Sequence, residues 1–166
     1  MHKELEKFFA GQRARRTVAE AMLRYGLRVD NDGKIYCSAI EIAPAKMARA
    51  LAVDRRVVVE TAKEIAEDDF LFDIFHSLEP RSNISKSAKA LGFDVIEVHA
   101  NPEEAGIVAA VTAILAKEGI SMRQIMADDA ELFPEPVLTI IVDGRLSGKV
   151  IEKIRRLKHA DEIILR

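Results

Sequence analysis

Residues 93–122 read FDVIEVHANPEEAGIVAAVTAILAKEGISM. Val95, Ile96 and Val98 mark an extended strand. After a polar turn, Ile107, Val108, Val111, Ile114 and Leu115 recur at helical spacing until Gly119 stops them. Ile120 to Ala127 then returns to a strand pattern. Downstream, Asp128 to Pro136 is an acidic loop with two prolines, and Val137 to Val142 is a nearly continuous apolar run, as expected of a strand buried at the centre of a sheet. Asp143-Gly144 turns the chain. Ser147 can cap a helix with Val150, Ile151, Ile154 and Leu157 on one face, and Ile163, Ile164 and Leu165 close with a fourth strand. The order β-α-β-β-α-β predicts an α+β, ferredoxin-like split βαβ from Phe93 to Arg166, with two helices on one face of a four-stranded antiparallel sheet.

Upstream, the pattern is mostly helical. Leu5, Phe8, Phe9, Val18, Ala21, Met22 and Tyr25 form apolar stripes over Lys3 to Tyr25, which Gly11 divides and Gly26 ends. Leu27-Arg28-Val29 and Lys34-Ile35-Tyr36-Cys37 flank the turn Asp30-Asn31-Asp32-Gly33, a hairpin signal. Pro44 to Val53 reads as a short helix with a turn. Asp54 can cap a further helix running from Arg55 to Phe75. Ala48, Leu51, Val53, Val58 and Ile65 are spaced like the inward residues of a helix-turn-helix, with Ala52 at the usual glycine of the turn. In that geometry Arg55, Arg56, Val59, Glu60 and Lys63 are the candidate DNA contacts, and the hairpin can serve as a wing. The acidic run Glu64, Glu67, Asp68, Asp69 and Asp73 opposes contact with phosphates along the same helix. The expected organisation is a helix-turn-helix-like domain over 1–78, a polar connecting stretch over 79–92 with a short helix ending at Gly92, and the α+β domain over 93–166.

Composition bounds the setting. The 166 residues carry a formal charge of −2, which by itself gives no whole-chain reason to expect nucleic acid. The first 92 residues hold 16 Lys/Arg against 14 Asp/Glu, and the remainder 9 against 13, a sign difference that suits a nucleic-acid-facing front. A single cysteine, Cys37, excludes an internal disulfide. Met1 to Lys7 has mixed charges and no apolar core, and no apolar run approaches the roughly 18 residues of a membrane span. A cytoplasmic protein without membrane contact is expected.

Three motifs fail on their spacing. With Gly33 at position six of a calcium loop, Arg28 and Ala39 occupy positions that need carboxylates. Gly144-Arg145-Leu146-Ser147-Gly148-Lys149-Val150 is one residue short of a phosphate loop and lacks its Ser/Thr. His2, His76, His99 and His159 show no paired metal-ligand spacing. No Ser–His–Asp or Cys–His arrangement can be placed, so no catalytic residue, metal or cofactor is expected, and a binding protein is expected rather than an enzyme.

The run Asn101-Pro102-Glu103-Glu104-Ala105-Gly106-Ile107-Val108-Ala109-Ala110-Val111, continued by Ala116-Lys117-Glu118-Gly119-Ile120-Ser121-Met122, resembles the ACT-domain signature. That signature is a strand, a turn ending in Gly plus an aliphatic residue, a helix, then Gly-Ile before the second strand. The resemblance covers Phe93 to Arg166. With the front half, the chain is similar to archaeal ACT-domain-containing regulators of amino-acid metabolism. The resemblance implies binding of an amino acid or similar polar metabolite between the first strand–helix turn of one copy and the second strand of a neighbour. The implied contacts are Asn101, Glu103, Glu104, Ala105, Gly106 and Ile107 on the turn and Ser121, Met122 and Arg123 on the strand, with His99 beside the turn. Ser121 falls where several amino-acid-binding relatives carry asparagine; a hydroxyl supplies one of those hydrogen bonds but not the two-sided amide pattern. The same residues also read as a plain helix start, with Asn101 as cap and Pro102 in the first position. The edge strand, Ile120 to Ala127, predicts a homodimer or higher homo-oligomer. The functional expectation is a metabolite-sensing transcriptional regulator. The alternative is a regulatory subunit whose front half grips a biosynthetic enzyme.

Overall fold

The computed structural model describes residues 3–102, 104–157 and 160–166. His2, Glu103 and His159 lie outside them. The chain falls into two compact units, divided between Ser82 and Asn83.

In the first unit, α1 (Lys3–Phe8) and α2 (Arg13–Tyr25) precede a three-stranded antiparallel sheet of β1 (Arg28–Val29), β2 (Ile35–Cys37) and β3 (Ile40–Glu41), in that order. Then come α3 (Pro44–Leu51), α4 (Arg55–Glu67) and α5 (Asp69–His76). Phe9, Val18, Met22, Val29, Ile35, Val58, Ile65, Leu71 and Phe75 form its core. Three expectations need correcting. Tyr25 and Phe8 are exposed rather than inward, and Phe8 stacks on Phe70 with ring centroids 5.5 Å apart. The hairpin gains a third strand through the two-residue turn Ser38-Ala39, where Ser38 takes φ 55°. The helix expected from Arg55 to Phe75 breaks at Asp68, which takes an extended conformation; its carboxylate accepts from the Leu71 N–H at 2.9 Å and starts α5 anew.

In the second unit, β4 (Asp94–His99), α6 (Ile107–Lys117), β5 (Met122–Ala127), β6 (Val137–Val142), α7 (Gly148–Arg155) and β7 (Glu162–Leu165) form the βαββαβ fold, with sheet order β5-β6-β4-β7 and every pairing antiparallel. This is the ferredoxin-like, ACT-type α+β architecture. Ile96, Val98, Leu138, Ile140 and Val142 face the helices, where Val111, Leu115, Val150 and Ile154 cover them. Alternation sends Val95 and Ile141 to the other face. There Ala88, in a segment of two short 3₁₀ turns (Ser85–Ser87 and Lys89–Leu91), packs on them with Ile84, Phe93 and Met126. The Ile84 N–H also donates to the Gln124 side-chain oxygen of β5 at 3.3 Å. The stretch read as connecting segment is therefore partly a lid on the sheet.

Gly26 ends α2 in the left-handed region at φ 63°. It also lies against another stretch of the same unit: a Cβ there would sit 2.4 Å from the Glu79 carbonyl oxygen and 2.7 Å from the Pro80 nitrogen. Backbone cannot yield as a side chain can. Gly26→Ala is expected to cost roughly 3 kcal/mol, combining left-handed strain with overpacking, and to lower the urea midpoint of the first unit accordingly. A change under about 1 kcal/mol would refute this close approach.

Candidate functional site

The β4 and β5 strands both pair antiparallel with β6, so they run parallel to each other and their C-terminal ends lie together. The turn after β4, the first residues of α6, the end of β5 and the start of β6 meet there around a cleft of about 500 Å³. Val98, Ala100, Val137 and Leu138 contribute its apolar base. Asn101, Pro102, Glu104 and Gly106 to Ala109 form one side, and Ala127, Asp128 and Pro136 the other.

The helix head that borders this cleft is not the plain start at Asn101. The Asn101 carbonyl accepts from the Glu104 N–H at 3.0 Å, closing a turn, and α6 begins six residues later, at Ile107. Gly106 is its cap, at φ 103° and ψ −7°, a conformation that stops a right-handed helix from extending backwards and that residues with a Cβ rarely adopt. Its cap residue, a glycine, offers no side chain to the first N–H groups, and Gly106 to Ala109 line the cleft, so the positive end of the helix borders it. A Cβ on Gly106 would meet open space within the chain; the glycine is required by its φ rather than by crowding. Across the cleft, Asp128 is fixed by two bonds to Val137: its N–H donates to the carbonyl and its Oδ2 accepts from the N–H, both at 3.2 Å.

Of the residues expected at the ligand, Asn101, Glu104, Gly106 and Ile107 line the cleft, and Ala105 is in the turn between them. Glu103 lies outside the described residues. His99 belongs to the opposite face of the sheet: alternation from Val98 turns it away from the helices, beside Glu162 of β7. Ser121, Met122 and Arg123 stand at the far end of the sheet from the cleft, because β5 enters where β4 enters. Arg123 is the extra residue of a bulge in β5; it pairs with Asp143 at 3.1 Å and stacks over Phe93 at 5.0 Å. Within one chain these three residues do not join the turn. Asp128, Val137 and Leu138 were not anticipated. The signal for them was topological: parallel β4 and β5 place the β5–β6 loop beside the β4–α6 turn.

In the first unit, α3 and α4 form the helix-turn-helix spacing, with Met47, Ala48, Val58, Ala62 and Ile65 buried. The Asp54 Oδ1 accepts from the Arg56 N–H at 2.7 Å to cap α4. Arg55, Arg56, Glu60 and Lys63 are exposed and, with Val59 and Asp54, line one shallow groove. Arg15 of α2 binds both Glu60, at 3.1 Å, and Glu64, at 2.7 Å. The break at Asp68 puts Asp69 and Asp73 on α5. The acidic run therefore does not extend along the α4 face as expected. The β1–β2 turn does not project: a Cβ on Gly33 would lie 3.3 Å from the Lys63 Cα, so this turn sits on α4.

No family model matches the chain. No curated protein matches it either. Among solved structures, the chain is similar to one titled "Crystal structure of PH0061", at 9% identity over 93% of this chain and 89% of that one, with a TM-score of 0.29, too loose a superposition to carry any inference. Among the described residues no helix is long and apolar enough to cross a membrane.

Ala52 occupies the turn between α3 and α4 at φ 53° and ψ 41°. A non-glycine residue there bears left-handed strain of about 1–2 kcal/mol, while glycine would add flexibility to the unfolded chain. Ala52→Gly is expected to stabilise the first unit by about 0.5–1 kcal/mol in urea titrations, and a loss of stability would contradict the left-handed turn.

Proposed function

We propose that this chain is a metabolic regulator that senses an amino acid or a similar polar metabolite through its second unit and acts on transcription through its first. The observation that carries the sensing reading is the cleft at the head of α6. A helix N-terminus with glycine at its cap, an apolar base and a fixed carboxylate converge there, the combination that small polar ligands need. The second strand takes part through a second copy. The β5 edge leaves Met122 at 37% and Ile125 at 42% exposure. Antiparallel pairing of Met122–Ala127 with its two-fold mate sets Met122 of the mate against Ala127, at the mouth of the cleft. Ser121, Met122 and Arg123 would thus return to the site from the neighbour.

A thermal-shift screen of amino acids, sugars and nucleotides is expected to find at least one amino acid that stabilises the chain, by about 2.7 kcal/mol at a hundredfold excess over Kd. Light scattering at micromolar concentration is expected to give a dimer, and Ile125→Lys a monomer with a weakened response. A screen in which nothing raises Tm rejects the sensing reading; a monomeric wild type rejects the shared site.

The DNA reading is supported by the helix-turn-helix spacing and by Arg55, Arg56 and Lys63 presented together on α4, with Glu60 engaged by Arg15. Ligand and operator binding would be linked reciprocally. Retardation of genomic fragments is expected to weaken steeply with salt, and Arg55→Ala/Arg56→Ala to reduce the log–log salt slope by roughly 2. Retention insensitive to salt argues against phosphate contact. The mixed charge of the same groove, where Asp54 and Glu60 stand among the cations, favours the second reading, a regulatory subunit docked on a biosynthetic enzyme. Co-purification of such an enzyme without DNA would select it.

A further inference from the structure

Glu60 stands among the cations that α4 presents. Arg56 precedes it by four positions and Lys63 follows it by three, the spacings at which side chains on a helix meet. Either could hold its carboxylate, and neither does. Glu60 Oε2 instead accepts from Arg15 Nη2 of α2 at 3.1 Å, and Nη1 of the same guanidinium donates to Glu64 Oε2 at 2.7 Å. The Arg56 and Lys63 side chains have no ion-pair partner among the described residues.

The pairing across helices has a physical reason. Glu60 and Glu64 are one helical turn apart, and like charges at that spacing repel. One planar fork that binds both relieves the repulsion. No cation of α4 can do the same, because the positions three and four away from Glu64 hold Glu60, Thr61, Glu67 and Asp68. Arg15 is also the more sheltered partner, with its side chain 30% exposed. Arg56 and Lys63 are exposed, where solvent screens an ion pair and leaves it little net gain.

We infer that Arg15 is a positioning residue for nucleic-acid binding: it holds Glu60 away from Arg56 and Lys63 and leaves both open to the phosphates of a duplex. This rests on the DNA reading above and adds to it a residue from outside the helix-turn-helix. Arg15 touches no phosphate itself; it acts through Glu60. Without it, Glu60 closes on Arg56 or Lys63, and the released Glu64 adds a second carboxylate to the same helix.

The test is retardation of labelled genomic duplex fragments by the full chain over a salt series, with Arg15→Gln and Arg16→Gln compared. Arg16 is the matched control. It pairs with Glu6 and Glu20, both at 2.8 Å, and with no residue of α4, so its loss removes the same unit of charge. Arg15→Gln is expected to weaken binding about tenfold and to lower the log–log salt slope by roughly 1–2, for the cations that Glu60 takes back. Arg16→Gln is expected to weaken it less than about threefold. Arg15→Gln/Glu60→Gln restores the wild-type net charge without restoring the bridge, and it is expected to recover most of both affinity and slope. If Arg15→Gln loses its native circular dichroism, Arg15→Lys decides in its place. That variant keeps the charge but cannot grip two carboxylates on one fork, and a smaller loss in the same direction is expected. Arg15→Gln binding as well as Arg16→Gln, or in the second case Arg15→Lys binding as well as wild type, overturns the inference and leaves the DNA reading standing. A double variant as weak as Arg15→Gln overturns it too, since Arg15 then contacts phosphate directly or only braces the two helices. If the wild type retains no fragment at any salt, the DNA reading falls and this inference falls with it.

Discussion

Everything at the candidate site depends on β6 serving as antiparallel partner to two strands at once. Six residue pairs join it to β4, from Asp94↔Val142 to His99↔Val137, and five join it to β5. Two strands that each oppose a third must run parallel to one another. Their C-terminal ends then share one edge of the sheet, and whatever follows each strand is delivered to the same place. That is why a turn near residue 101 and a loop near residue 128, distant in sequence, bound a common cleft. β6 can hold this position because Leu138, Ile140, Ile141 and Val142 are all buried, so the strand is covered on both faces. The acidic loop before it cannot continue the strand: Pro134 and Pro136 lack the N–H groups that a ladder needs.

Elements defined by repeating apolar residues were legible in the sequence. The strands of the second unit and the inward faces of α6 and α7 follow directly from alternation and from helical spacing, and so does the β5 edge, because the βαββαβ order dictates it. Features decided by one or two residues were less legible. β3 is only two residues long, too short to show a period. The break between α4 and α5 was masked because Ile65, Phe72 and Phe75 keep the apolar pattern running while a single cap at Asp68 resets the helix. For the cleft, the turn side could be read locally but Asp128, Val137 and Leu138 could not, since strand pairing rather than spacing brings them in. His99 was misplaced for a simpler reason: position at a strand end says nothing of the face, and one residue's shift from Val98 reverses it.

One left-handed residue sets the geometry at each candidate surface, and the two differ in cost. Gly106 takes φ 103° without strain and thereby delays α6 until Ile107, exposing a helix head that Asn101 and Pro102 would otherwise have buried in a longer helix. Ala52 takes φ 53° with a Cβ in place. The penalty of about 1–2 kcal/mol is tolerable because the turn is held by its flanks: Leu51 and Val53 pack on the core, and the Val53 N–H donates to the Ala48 carbonyl at 3.0 Å. In the first unit strain is accepted to keep two helices crossing; in the second, glycine removes it where the chain must stop and turn.

The β5 edge is guarded unevenly, and that unevenness bears on the proposed dimer. At its start, the bulge between Met122 and Gln124 disrupts the ladder and Arg123 is drawn off to Asp143 and Phe93, devices that discourage pairing with a passing strand. From Gln124 to Ala127 the register with β6 is regular, and Ile125 stays 42% exposed between the uncharged Gln124 and Met126. Val108, at the head of α6 in the cleft wall, is 45% exposed as well. Random edge-to-edge association would need a long flat strand, which the bulge denies. Two-fold pairing over a few central residues needs only the regular part, and it covers apolar area at the end of the sheet where the cleft opens. An edge blunted at one end and left open at the other thus permits one specific partner while discouraging many.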